Sequence, residues 1–93
     1  MKFEFELDET KHLSNIEKHG VGFEEAAYVL LDPSRLDCLD NRSGYGEERW
    51  VTLGEMRGRV FAVVYTMRGD VLRIISARKA NEREQEKYRS LRA

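Results

Sequence analysis

The chain has 93 residues, 41% of them hydrophobic and 35% charged, with a single Pro; such a composition suits a small globular domain and excludes a disordered one. No apolar run approaches the roughly 20 residues of a membrane span, and the opening MKFEFELDE lacks the apolar stretch of a cleavable signal. A lone cysteine, Cys38, excludes an internal disulfide and a paired-cysteine zinc site, which points to a reducing, cytoplasmic setting.

The net charge of −1 conceals a division. Residues 1–56 hold 6 Lys/Arg against 13 Asp/Glu, and residues 57–93 hold 10 against 4. Eight of those ten are Arg, whose guanidinium forks onto phosphate oxygens where Lys acts as a point charge. The second half therefore reads as a face for a polyanion. The alternative is that the two halves neutralise each other within one fold.

Along the chain, residues 2–7 alternate Phe3, Phe5 and Leu7 with Lys2, Glu4 and Glu6, which predicts a short strand with one dry face. Asp8 suits an N-cap, and residues 9–19 read as a helix closed by Gly20. The apolar stripe of that helix is thin, Leu13 and Ile16. Opposite it stand Lys11, Asn15 and Lys18, with His19 beside them. A second helix is expected over 23–31, turning Phe23, Ala26, Ala27, Leu30 and Leu31 inward and stopped by Asp32-Pro33.

Four strand signals follow, near 35–39, 48–54, 59–66 and 71–78. Residues 40–47, with two glycines, make a flexible loop. The run from Val60 to Tyr65 is apolar on both faces and predicts the central strand. Asn81 and Glu84 form a capping-box-like pair at the start of a last helix, whose only large apolar residues are Tyr88 and Leu91. One strand, two helices, a meander of strands and a final helix predict an α+β fold with a largely antiparallel sheet. No repeat or linker divides residues 1–93, so one domain is expected.

Most catalytic constellations are missing. His12 and His19 are separated by roughly 10 Å of helix, too far to share a metal ion. Neither a phosphate loop nor a dinucleotide fingerprint is present. Cys38 in a strand reads as a small buried hydrophobe, and no nucleophile elbow surrounds Ser76.

The strand Arg73-Ile74-Ile75-Ser76-Ala77-Arg78 is more informative. A strict period of two puts Arg73 with Val71 and Ile75 on one face, and Arg78 with Ser76 and Leu72 on the other. An arginine among apolar strand residues needs a carboxylate partner, a route to the rim, or a phosphate. Cleavage of RNA by its own 2′-hydroxyl would use such arginines on the phosphorane, with a base and a proton donor beside them. Histidine suits acid–base work near neutrality, which makes His19 a candidate, with Glu84 and Tyr88 as further ones; the other reading of His19 is a helix C-terminal residue favoured by the dipole.

The run from Phe5 to Lys11, then Asn15, Lys18-His19-Gly20-Val21 and Phe23 to Ala26, resembles the opening of the BrnT toxin family. The resemblance continues through Glu47-Glu48-Arg49, Gly54, Arg59, the Arg73 to Arg78 block, Glu84 and Tyr88. It implies a RelE-like fold and the toxin of a type II toxin–antitoxin pair, an endoribonuclease that blocks translation without a cofactor. It also implies a BrnA-like ribbon-helix-helix antitoxin, with operator DNA bound only through that complex. By matched position it carries over Lys11, Asn15, Lys18, His19, Arg49, Arg73, Ser76, Arg78, Glu84 and Tyr88, and it brings in Arg59 as a further substrate contact. Leu7 stands where the family often has Trp, and Gly22 where a Ser cap is frequent. The expected catalytic set is Lys11, His19, Arg49, Arg73, Arg78, Glu84 and Tyr88, and the expected substrate-binding set is Asn15, Lys18, Arg59 and Ser76. The rival reading is a non-catalytic module that binds a protein and nucleic acid as a corepressor.

Overall fold

A computed structural model describes residues 4–6, 9–40 and 48–90. The expected Asp8 cap, the loop through residues 41–47, and the packing of Leu7 and Leu91 lie outside the described residues. In chain order the elements are β1 (Glu4–Glu6), α1 (Glu9–His19), α2 (Phe23–Val29), β2 (Leu36–Asp40), β3 (Arg49–Met56), β4 (Arg59–Arg68), β5 (Val71–Lys79) and α3 (Glu82–Ser90). The strands form one sheet in the order β1-β5-β4-β3-β2. Strands β2 to β5 are an antiparallel meander, and β1 joins β5 in parallel. The fold is α+β, as the order of sequence signals predicts.

Two hairpins close with two-residue turns, each of which needs backbone that glycine supplies most readily. Gly69 takes φ +62° at the first turn position of β4–β5. In the β3–β4 turn Gly58 takes +78° beside Arg57 at +54°, both central residues left-handed as a type I′ connection demands.

The sheet has two differently covered faces. On one, Phe61 and Val63 of β4 join Leu72, Ile74 and Ala77 of β5 under Val21, Phe23, Ala26, Val29 and Leu30. Contact is closest at Gly54 of β3, where an added Cβ would lie 2.6 Å from the Val29 carbonyl oxygen. On the other, Leu53, Val60 and Ala62 pack with Ala80 beneath Tyr88 of α3. The central strand β4 is thus dry on both faces.

One expectation about the helices needs correction. Helix α2 ends at Val29 with Leu30 as its C-cap, and Leu31 beyond it is 60% exposed rather than inward. In α1 the apolar stripe faces solvent, with Leu13 57% and Ile16 42% exposed, while Asn15 is buried. The side of α1 turned to the sheet is chosen by hydrogen bonds, because the outer edge of β5 presents backbone groups that only a polar side chain satisfies.

Candidate active site

The site is built on the sheet face that α3 covers only at one end. Along β4 the residues of this face are Val60, Ala62, Val64 and Thr66, and cross-strand partners share a face. Arg73 is paired with Thr66, Ser76 with Val64 and Arg78 with Ala62. Asp40 is paired with Arg49, which opens β3 next to the far end of β4. Thr66 is 2% exposed between the two arginine-bearing strands, and its hydroxyl donates to the Glu48 carbonyl at 2.7 Å. Arg49 and Arg73 therefore flank β4 on one face, about 10 Å apart at the backbone. Arg78 stands about 15 Å further along β5, with Ser76 between.

That arrangement corrects the expectation that Arg73 and Arg78 point to opposite faces. The β4–β5 register shifts between Val64 and Tyr65: Val64 meets Ser76 while Tyr65 meets Ile74, so Ile75 is an extra residue in β5. A bulge of one residue reverses the alternation beyond it. Ile74 and Ala77 both enter the core, and Val71, Arg73, Ser76 and Arg78 line up on the opposite face.

Around this row the side chains are held by specific partners. Both terminal nitrogens of Arg78 donate to Glu84, at 2.7 and 2.9 Å, in a fork-to-fork pair. Glu84 also accepts from the Asn81 N–H at 2.9 Å, and the Glu84 N–H donates to Asn81 Oδ1 at 2.8 Å, completing the expected capping box. The Arg78 hydrogen bonds hold the Glu84 carboxyl below its ordinary value, and the Asn81 N–H lowers it further against the opposing effect of burial. Glu84 is thus shaped as an anchor for Arg78 and for α3, not as a base poised near neutrality. Beyond Arg78 a cleft continues between β2 and α3, where the Lys87 ammonium lies 3.8 Å from the Cys38 sulfur.

On the β5 side a second cleft of about 310 Å³ opens between α1 and the strand edge, lined by Thr10, Ser14, Asn15, Lys18, His19, Ile75 and Ser76. Lys18 and His19 are exposed on its rim. Ser76 belongs both to this cleft and to the arginine row, so the two are continuous. Within the cleft wall Asn15 is occupied: its Nδ2 donates to the Val21 and Ala77 carbonyls at 2.7 and 2.8 Å, and its Oδ1 accepts from the Ala77 N–H at 3.1 Å. Asn15 thereby leaves the substrate-binding group and joins the framework.

Two further expected site residues, Tyr88 and Arg59, lie elsewhere. Tyr88 is 1% exposed and donates its hydroxyl to Asp32, the residue that also accepts from the Glu55 N–H, so it packs α3 onto the sheet. Arg59 is exposed at the far hairpin, paired with Met56 on the α2 side of the sheet. Lys11 falls on α1, with its side chain outside what the structure describes. Sequence reasoning missed His12, whose Nδ1 accepts from the Phe23 N–H at 3.0 Å and so caps the first turn of α2 where Gly22 has no side chain. A histidine ten residues before a side-chain-less cap carries no signal on its own. Among the described residues, no three of His, Cys, Asp and Glu form a metal-ligating group.

The arrangement brings Arg49, Arg73 and Arg78 onto one face of the sheet, with Ser76, Lys18 and His19 along one margin. It can hold an extended chain of phosphates over guanidinium groups. Comparison with protein families finds a match over residues 7–84 to a family described as "Ribonuclease toxin, BrnT, of type II toxin-antitoxin system". No curated protein matches the chain.

Proposed function

The chain belongs to the BrnT family of type II ribonuclease toxins, and from that premise we propose that its arginine face cuts RNA by metal-independent attack of the ribose 2′-hydroxyl. A ribonuclease toxin of this type has an antitoxin as partner. We assign that partner to the BrnA-like ribbon-helix-helix class, through which operator DNA is bound, and the substrate to cellular RNA in the cytoplasm.

One observation carries the mechanism: Arg49, Arg73 and Arg78 share one face of the sheet, the face against which α3 packs. Positive charge fixed before the reaction is worth most where negative charge develops, on the pentacoordinate phosphorane. In the proposed step the 2′-oxygen bonds to phosphorus as its proton passes to the His19 imidazole. The phosphorus–5′-oxygen bond then breaks, and the leaving 5′-oxygen takes a proton from Lys11 or water. Arg73 and Arg49 hold the non-bridging oxygens. Arg78, fixed by Glu84, binds a phosphate further along the strand, and Lys18 and Ser76 guide the strand along the α1 cleft.

The test is cleavage of a defined RNA by purified protein in EDTA, beside Arg73→Ala. Products ending in 2′,3′-cyclic phosphate are expected, with the rate falling at least about a hundredfold in the variant at an unchanged melting temperature. Cleavage that requires added metal overturns the mechanism. RNA binding without cleavage, on free RNA and on translating ribosomes alike, overturns the function in favour of a binding module.

A further inference from the structure

Among the described residues, strand β1 covers the outer edge of β5 from Val71 to Arg73. Further along, the N–H and C=O of Ala77 point out of the sheet towards α1, where a side chain rather than a strand meets them. Asn15, 5% exposed, meets both: the Ala77 N–H donates to its Oδ1 at 3.1 Å and its Nδ2 donates to the Ala77 carbonyl at 2.8 Å. A carboxamide presents the same donor and acceptor as a peptide group, so one side chain stands in for the missing strand. Its second N–H reaches the Val21 carbonyl at 2.7 Å and ties the α1–α2 connection to the same point.

This pairing fixes the rotation of β5 at residue 77. With the Ala77 backbone groups turned outward to Asn15, its methyl enters the core beside Ile74, and two residues, Ile75 and Ser76, must fit between them. That is the bulge. An unbulged strand would turn Ser76 and Arg78 into the α2 core or leave buried backbone groups without partners. We infer that Asn15 is a positioning residue: its carboxamide, acting as a surrogate strand, holds the β5 bulge and so keeps Ser76 and Arg78 on the same face as Arg73. The consequence for catalysis rests on the proposed function; the structural part does not.

The test compares Asn15→Asp, which keeps the shape and the acceptor but loses both donor contacts, with Val29→Ala, which loosens the core from α2. Asn15→Ser serves where the carboxylate unfolds the chain. In labelled full-length protein, NMR cross-strand contacts between Val64 and Ser76 are expected to vanish in the Asn15 variants, and the Ala77 amide to exchange faster. Both should be retained in Val29→Ala. Cleavage per folded molecule should drop about a hundredfold in the Asn15 variants and hold in Val29→Ala. Adding Arg78→Ala to an Asn15 variant should then cost nothing more, whereas Arg73→Ala should still lower the rate. Intact Val64–Ser76 contacts in both Asn15 variants overturn the inference, as does an undiminished Arg78→Ala effect in their background. Should the wild type cut no RNA, the proposed function fails, and the register measurement alone decides for or against the clamp.

Discussion

Glu84 shows how one carboxylate is committed to structure beside the arginine row. It closes the first turn of α3, fixes the Arg78 guanidinium and is held ionised by both contacts. Its folded value lies below its ordinary one of 4.5. Ionised Glu84 therefore adds stability above that ordinary value, and the contribution is lost as pH falls through the lowered one. Glu84→Gln should be less stable than the wild type at pH 7, and the gap should close as pH falls below 4.5. Urea midpoints at pH 7 and in that acid range measure it. An equal gap at both would mean that Glu84 acts through shape rather than charge.

At the scale of elements, α2 and β3 touch where Gly54 has no side chain. A Cβ there would stand 2.6 Å from the Val29 carbonyl oxygen and 2.8 Å from Val29 Cγ1. Gly54→Ala should therefore push α2 outward and cost about 1–3 kcal/mol in denaturant, although alanine ordinarily favours folding over glycine. A variant as stable as the wild type would show that α2 rides freely on the sheet. Most elements were legible in the sequence because their signals are local. A run apolar on both faces marked β4, and the Asn81–Glu84 spacing marked the start of α3. The misplacements come from non-local causes. Period-two counting through Ile75 sent Arg78 to the wrong face, since a bulge without glycine leaves no mark in composition. The apolar pair Leu13 and Ile16 does not mark the buried side of α1, because that side is held by Asn15, whose partner Ala77 lies 62 residues away in β5. His12 was passed over for the same reason, its role being set by a backbone N–H of another helix. Arg49 and Arg73 stand on the expected strands, and only the register of the assembled sheet shows that they flank Thr66.

Across the whole molecule, the sheet gathers Arg49 from the acidic part of the chain with Arg73 and Arg78 from the basic part. The arginine face should thus attract RNA chiefly through its phosphates, with affinity falling as salt rises. Arg73→Ala should lessen the slope of log affinity against log salt by about 1, measured by fluorescence titration with a short RNA. An unchanged slope would remove Arg73 from the phosphate track.

Among the described residues β1 pairs with β5, and Asn15 of α1 grips the same strand. Contacts so distant in sequence form late, whereas the β3–β4 hairpin joins neighbouring segments. Arg73 and Arg78 therefore take up their common face among the last events of folding, when α1 and β1 dock on β5, and a chain caught with its hairpins alone carries the arginines without their alignment.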